Sequence, residues 1–323
     1  MSRNIVLTVV CAGVLSCTAM AQRPSNFISY DVPGARSTTA WGMNADGAVV
    51  GTYVDSNGKQ HGFVLSGGQV TTIDYPGAVV TTVRGINSRG DIVGTHTGPN
   101  AAMPGSGGDI HGYLLRAGAS TLEPLDYPGH MNTIPQRIND DGKVVGCYHD
   151  TDTMGTMHGM MADNGTYVAL DGSQYGLVMP ATMTNGLTED GNVAVGLYMD
   201  MMTGVNRSYI ASAGAFAGFD FPFSLATSVW DMNSSGEVVG QYTDATKRVH
   251  GFLLNLGDLI ATFGANPQGA TGRSFSFTSV DFPGAAATGA YGINPHGDIV
   301  GNYVDAAGKT HAFVLNRGRR RGQ

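Results

Sequence analysis

The chain has 323 residues, of which 42% are hydrophobic and 13% are charged, and its formal net charge is −7. This composition is typical of a globular protein with a sizeable core and excludes a disordered chain. The negative charge argues against nucleic acid or an anionic membrane as the main partner.

Residues 1–21 have the features of a secretory signal. Arg3 supplies a positive start, residues 5–15 are apolar, and Ala19-Met20-Ala21 is a small-x-small cleavage site. We expect cleavage after Ala21, a single domain at 22–318, a basic tail at 319–323, and a secreted or periplasmic protein without a transmembrane segment. Lipoprotein processing at Cys17 is the less favoured alternative.

A repeated pattern fills the rest of the chain. An Asn-x-x-Gly turn followed by a β-branched pair and glycine recurs about every forty to sixty residues. The six copies start at Asn44, Asn87, Asn139, Thr188, Asn233 and Asn294. Each copy has four strand-sized pieces, which in the second unit are 81–86, 91–96, 112–115 and 121–127. The pattern predicts an all-β fold, a six-bladed β-propeller of four-stranded antiparallel blades.

The two ends of the pattern complement each other. The domain begins with an unpaired fourth strand at 27–32, and the last unit stops after its third strand at 311–315. Pairing these two segments would close the ring and remove two exposed sheet edges.

Four triplets of the form His-[Gly/Ala]-aromatic carry a family resemblance. They begin at His61, His111, His250 and His311 and follow the Gly-Ile-Asn and Ile-Val-Gly-x-Tyr elements. With these elements the chain resembles the bacterial HAF-repeat family of extracellular proteins. The fourth unit departs from the pattern, with Thr188 for the turn asparagine and Arg207 for the histidine. The resemblance implies export and a repeat fold, and it supplies no catalytic residues.

Residues that recur in every unit are expected to solve a packing problem that every unit has. By this reasoning the third-strand histidines are structural, as are the aspartates that precede Pro-Gly at the end of each fourth strand. Cys147, the one cysteine outside the signal segment, is expected to be packing filler.

One column of positions varies from unit to unit and lies three residues before each turn. It consists of Trp41, Arg84, Gln136, Asn185, Trp230 and Tyr291. The first strand of a propeller blade lines the central channel, so these side chains should approach the axis. Aromatic, amide and arginine groups suit a ligand. Solvated channel lining is an equally good interpretation.

The connections after the second strands of units two to four suggest a site for an anionic ligand such as a uronic-acid polymer. Arg207 would contribute to binding there. In a lyase, His149 or Tyr148 would be the base, and Arg84 or Arg137 would neutralise the substrate carboxylate.

Methionines in the same units suggest a soft-metal site. Met154, Met157, His158, Met201 and Met202 are weak candidates for Cu(I) ligands. Packing and loop filler is the favoured interpretation, so we expect no metal and no cofactor.

Together these features favour a monomeric, non-catalytic binding or scaffolding module. It would use one propeller face to bind an extracellular polysaccharide or a protein. A carbohydrate-active enzyme of the polysaccharide lyase type is the alternative function.

Overall fold

The computed structural model describes residues 26–98, 110–150, 157–170, 181–200, 202–212, 215–257 and 276–318. Regular structure in these ranges consists of β-strands, and none of them contains a helix long and apolar enough to cross a membrane. The predicted signal at 1–21 and the tail at 319–323 lie outside the described residues.

The strands follow the six sequence units, with one additional strand at the start. The first strand and the first two units are β1 (Phe27–Tyr30), β2 (Ser37–Met43), β3 (Val49–Val54), β4 (Gln60–Ser66), β5 (Gln69–Ile73), β6 (Val80–Ile86), β7 (Ile92–Thr97), β8 (Ile110–Leu115) and β9 (Leu122–Pro124). Units three and four are β10 (Met131–Ile138), β11 (Val144–His149), β12 (Met157–Asp163), β13 (Thr166–Ala169), β14 (Thr182–Leu187), β15 (Val193–Asp200), β16 (Val205–Ser212) and β17 (Ala215–Phe219). Units five and six are β18 (Ala226–Met232), β19 (Glu237–Thr243), β20 (Val249–Asn255), β21 (Ser276–Val280), β22 (Ala287–Ile293), β23 (Ile299–Val304) and β24 (Thr310–Leu315).

The strands form an all-β propeller with antiparallel blades, as predicted, but the predicted number of blades is wrong. Four separate four-stranded blades are present: β10–β13, β14–β17, β18–β21, and β22–β24 with β1. The first two units make one eight-stranded sheet, because β6 begins close enough to β4 for a parallel pair between Val80 and Gln60.

The first strands of the units form the inner ring of the molecule. Each of β2, β6, β10, β14, β18 and β22 contacts the first strand of the next unit, and β22 contacts β2. The N-terminal strand pairs antiparallel with β24, from Phe27 opposite Leu315 to Tyr30 opposite Ala312. The predicted pairing of the two chain ends is therefore confirmed.

The Asn turns between first and second strands lie on one face, which we call the turn face. The side-chain oxygen of Asn44 accepts from the backbone N–H of Ala48 at 2.9 Å, as expected for a turn-forming asparagine. Its amide nitrogen donates to the carbonyl oxygen of Asn87 at 3.2 Å, and Asn87 donates to Asn139 at 3.1 Å. These bonds link the turns of neighbouring units. The opposite face, with the Asp-x-Pro connections, is called the loop face.

The core lies between neighbouring sheets and explains the recurring glycine of the Ile-Val-Gly element. Phe63, Phe252 and Phe313 occupy equivalent third-strand positions and are fully buried. Their rings cover the second-strand glycine of the same unit: a Cβ on Gly240 would lie 2.6 Å from the Phe252 ring. Only glycine leaves room for the aromatic ring here.

Phe223 breaks the Pro-Gly pattern of the loop face. Its φ is 60°, a left-handed conformation, and the equivalent residues of four other connections are Gly34, Gly77, Gly129 and Gly284. The side chain is 90% exposed, so burial does not offset the strain.

We expect Phe223→Gly to stabilise the protein by about 0.5–1 kcal/mol. A non-glycine residue in the left-handed conformation costs roughly 1–2 kcal/mol, which the substitution removes. Part of this stabilisation is offset by the greater conformational freedom of glycine in the unfolded chain. Chemical denaturation measures the change, and Gly77→Phe is the reciprocal control, expected to destabilise. A loss of stability in Phe223→Gly would show that the phenyl ring makes a stabilising contact.

Candidate functional site

The six column residues are all bulged residues of the inner strands. In each first strand the pairing register skips the column residue: Trp41, Arg84, Gln136, Asn185, Trp230 and Tyr291. Strand β10 has a second irregularity, between Met131 and Ile134. A β-bulge leaves the extra residue out of the ladder and re-aims its side chain. The repeated bulge therefore places six variable side chains at the axis.

Three aromatic rings of the column pack together. The ring centroids of Trp41 and Tyr291 are 4.6 Å apart, those of Trp230 and Tyr291 are 5.4 Å apart, and those of the two tryptophans are 5.8 Å apart. The guanidinium carbon of Arg84 lies 4.2 Å from the centroid of the Trp41 ring, a cation–π contact. All four side chains are partly exposed. We call these four residues the axial cluster.

The other two column residues differ from this cluster in their burial. Gln136 and Asn185 are buried, with the amide nitrogen of Gln136 3.4 Å from the sulfur of Met183. The amide nitrogen of Asn185 donates to the carbonyl oxygen of Val229 at 2.8 Å. The column thus separates into four accessible residues and two that support the ring. The prediction that Gln136 and Asn185 contact a ligand directly does not fit their burial.

Three buried polar atoms of the column have no hydrogen-bond partner within the described ranges. They are Nε of Arg84, Oδ1 of Asn185 and Nε1 of Trp230. Most buried polar groups in folded proteins are satisfied, so the two unsatisfied donors of the axial cluster, Nε of Arg84 and Nε1 of Trp230, mark it as a candidate site for polar groups. Burial, together with the nearby charge of Arg137, lowers the pKa of Arg84 to about 10, so its side chain still carries a positive charge at neutral pH.

Arg137 is the residue after Gln136, and it closes the channel. Its Nε lies 3.0 Å from Oδ2 of Asp231 on the fifth unit, and both side chains are buried. Its Nη atoms donate to the backbone carbonyl oxygens of Trp41, Arg84 and Tyr291, among others. Burial raises the pKa of Asp231, whereas Arg137 opposes that rise. We call this ion pair the axial plug.

The side chain of Arg137 is committed to Asp231 and to carbonyl oxygens, so the geometry gives no support to the prediction that it neutralises a substrate carboxylate. The remaining inner strands have glycine at the plug position: Gly42, Gly85, Gly186 and Gly292. These glycines let the inner strands approach closely, since a Cβ on Gly292 would lie 2.7 Å from the carbonyl oxygen of Trp41. Aligning the residues that directly follow the column residues shows one arginine and one aspartate among four glycines. This pattern is the sequence signal for the axial plug.

The plug separates the axial cluster from the turn face. A depression of about 50 Å³ on the turn side is lined by Asn44, Asn87, Asn139 and both plug residues, but by none of the column residues. Along each inner strand the order is loop face, column residue, plug position and Asn turn. The axial cluster therefore belongs to the loop-face side of the plug.

The recurring histidines bind the connections of the loop face, which confirms their predicted structural role. Nδ1 of His61 lies 2.9 Å from Asp74, and Nδ1 of His311 lies 2.8 Å from Asp31 on the N-terminal strand segment. The same bond joins His111 to Asp126 and His250 to Asp281. The recurring tyrosines stack on these rings, as Tyr53 does on His61 at 4.9 Å.

Arg207 takes the place of the histidine in the fourth unit. Its Nη1 donates to Asp220 at 2.7 Å, and its Nε lies 3.8 Å from Asp200. It thus joins the two connections that histidines join elsewhere. The charge of Arg207 is paired with these two aspartates, and its ligand-binding role stays a prediction.

The two proposed catalytic bases are packed side chains. Tyr148 is 6% exposed, stacks on Tyr127 at 3.8 Å and on His158 at 5.1 Å, and occupies the position of the other recurring tyrosines. His149 is 4% exposed. A general base must reach the proton that it removes, and these positions do not offer that access. Of the proposed lyase residues, only Arg84 is accessible and unpaired among the described residues.

The proposed copper ligands are not gathered in the described part of the chain. Met157 is buried beside Cys147, whereas Met202 is 95% exposed, and His158 is bonded to Asp150 at 3.0 Å. Met154 and Met201 lie outside the described residues. Cys147 is fully buried, and burial raises the pKa of its thiol to about 12, as expected for packing filler.

The fold defines a β-propeller protein whose inner strands are bridged at the axis by the axial plug. No protein-family model and no curated protein matches the chain. The structure is similar to a putative TolB from Agrobacterium tumefaciens, with a TM-score of 0.54 and 14% identity over 88% of this chain and 91% of that one. It is also similar to a mutant of the Aleuria aurantia lectin in complex with Fucα1-6GlcNAc, with a TM-score of 0.51 and 10% identity over 88% and 93%. At these identities the likeness establishes the propeller fold alone.

Proposed function

We propose that this protein is a non-catalytic binding module that holds a carbohydrate at the axial cluster. The observation that carries the proposal is the group of three packed aromatic rings with a charged guanidinium and unsatisfied polar atoms on one side of the plug. Aromatic rings suit the apolar C–H faces of sugars, and a few polar groups fix a ligand's orientation.

The neighbouring folds are compatible with this proposal. One of them is a lectin whose structure was determined in complex with Fucα1-6GlcNAc. The likeness is too distant to transfer a ligand, and the argument for carbohydrate rests on the axial cluster of this chain.

We extend the proposal to the organisation of the protein. The six units act as six repeats around one axis, with the eight-stranded sheet serving as two of them. The protein is a monomer with a single domain at 22–318, and the signal at 1–21 directs it out of the cytoplasm. The HAF-like elements support this assignment, because the resembling family is extracellular. A protein bound at the same face, in place of a carbohydrate, is the alternative partner for this binding or scaffolding module.

The lyase alternative receives no support from the site. The candidate bases Tyr148 and His149 are buried, and Arg137 is held by Asp231. The axial cluster offers a binding surface with one cation, and within the described ranges it includes no residue positioned to remove a proton.

The proposal is tested by titrating the purified protein calorimetrically with neutral and acidic oligosaccharides. We expect Trp230→Ala to weaken glycan binding at least tenfold, because loss of an aromatic anchor that the ligand covers typically costs about 2 kcal/mol or more of binding free energy. Tyr167→Ala is the matched control, since Tyr167 lies on the outer strand β13. Equal affinity in wild type and Trp230→Ala, or no glycan binding at all, would contradict the proposal.

A further inference from the structure

Arg84 differs from every other arginine in the described ranges. Seven of the eight form a hydrogen bond or ion pair with a protein oxygen: Arg36, Arg89, Arg116, Arg137, Arg207, Arg248 and Arg317. Arg84 has the ring of Trp41 beneath it and no such partner among the described residues. The chain therefore places one uncommitted guanidinium at the axis.

The charges of the axis do not cancel. Arg137 and Asp231 neutralise each other in the plug, which leaves the charge of Arg84 without a counterion in the described structure. Cations at such partly desolvated positions favour anions as ligands, and the nearby Arg137 adds to this preference.

The geometry around Arg84 selects the kind of anion. The Trp41 ring covers one face of the planar guanidinium of Arg84. The N–H groups of the guanidinium point outward in the guanidinium's own plane, away from the ring. A carboxylate matches this fork with two parallel hydrogen bonds. Trp230 and Tyr291 lie next to Trp41 and offer apolar faces to the ring that bears the carboxylate.

We infer that the recognised sugar is a uronate, whose carboxylate pairs with Arg84 while its ring contacts the aromatic side chains of the axial cluster. This inference rests on the proposed binding function and names its ligand class. The plug closes the turn side, so the uronate reaches Arg84 from the loop face.

The test compares trimers of galacturonate and mannuronate with their methyl esters, which have the same rings without the negative charge. Calorimetry of the wild-type protein should give at least tenfold tighter binding of one acid trimer than of its ester. Arg84→Gln should abolish this difference and leave the affinity for the ester unchanged. Arg84→Lys should retain part of the preference, because it keeps the charge and loses the fork.

Arg36→Gln is the matched control, because Arg36 bonds a loop-face carbonyl oxygen and should not alter the preference for the acid form. Melting temperatures of all variants exclude unfolding as the cause of a loss. Equal affinity of the wild type for the acid and the ester would overturn the uronate inference. In that case, loss of glycan binding in Trp230→Ala would still support the proposed binding function. Tighter binding of a sulfated neutral trimer than of either uronate would also overturn it. If the wild type binds none of the glycans, the proposed function itself fails.

Discussion

Replacing Arg137 by glycine is expected to destabilise the protein by about 3–5 kcal/mol. The substitution leaves Asp231 buried without its counterion, and breaking a buried ion pair on one side costs this much. The substitution also leaves the backbone carbonyl oxygens that accept from the guanidinium without this hydrogen-bond donor. Urea denaturation at neutral pH measures the loss.

The double variant Arg137→Gly with Asp231→Gly supplies the sharper comparison. Four other inner strands have glycine at this position, so the backbone accepts it. Removing both charges leaves no uncompensated carboxylate, and we expect the double variant to be at least about 2 kcal/mol more stable than Arg137→Gly alone. If the changes in the free energy of unfolding caused by Arg137→Gly and Asp231→Gly simply add in the double variant, the two side chains do not stabilise each other and the ion pair of the axial plug is contradicted.

The single variant should also depend on pH in a defined direction. Burial raises the pKa of Asp231, and in Arg137→Gly no cation opposes that rise. A carboxyl whose folded-state pKa lies above its unfolded value stabilises the fold at low pH and loses that contribution as pH rises. The cost of Arg137→Gly should therefore be smaller at pH 5 than at pH 7.

A chain that begins at residue 33 is expected to melt at least about 10 °C below a chain that begins at residue 26. The shorter chain lacks β1, whose Phe27 packs edge-on against Phe282 at 5.4 Å and Phe313 at 5.3 Å. It also lacks Asp31, which is bonded to His311. Losing the strand pairing and one aromatic anchor removes about 5 kcal/mol or more, and a domain of this size loses roughly 2 °C per kcal/mol.

Rescue by a peptide separates ring closure from a general defect. A peptide of residues 26–36 should raise the melting temperature of the shorter chain, because it can restore the edge pairing with β24. Equal melting temperatures of the two chains would show that the N-terminal strand does not close the ring.

Local patterns in the sequence predicted much of the fold. Asn44 and its equivalents form the turns, the histidines bind the loop-face aspartates, and the segment containing Phe27 pairs with β24. These features depend on short-range turn chemistry or on the count of strands at the chain ends. The joining of β4 and β6 through Gln60 and Val80 depends on how close two units approach, and a repeat pattern does not contain that distance.

The site was predicted only in part, for a similar reason. The column from Trp41 to Tyr291 could be aligned from the turns, but the bulge that aims it at the axis has no sequence signature in these strands. The pairing of Arg137 with Asp231 joins the third and fifth units and exists only once the ring is closed. Arg84 alone among the candidate lyase residues is accessible and without an ion-pair partner within the described ranges.

Tryptophan fluorescence tests the central claim most directly, because the chain has two tryptophans and both belong to the axial cluster. Titration with the uronate trimer that binds in calorimetry should produce a saturable change in emission with the same dissociation constant. Calorimetric binding without any change in tryptophan emission would place the ligand elsewhere on the protein and contradict the axial cluster as its site.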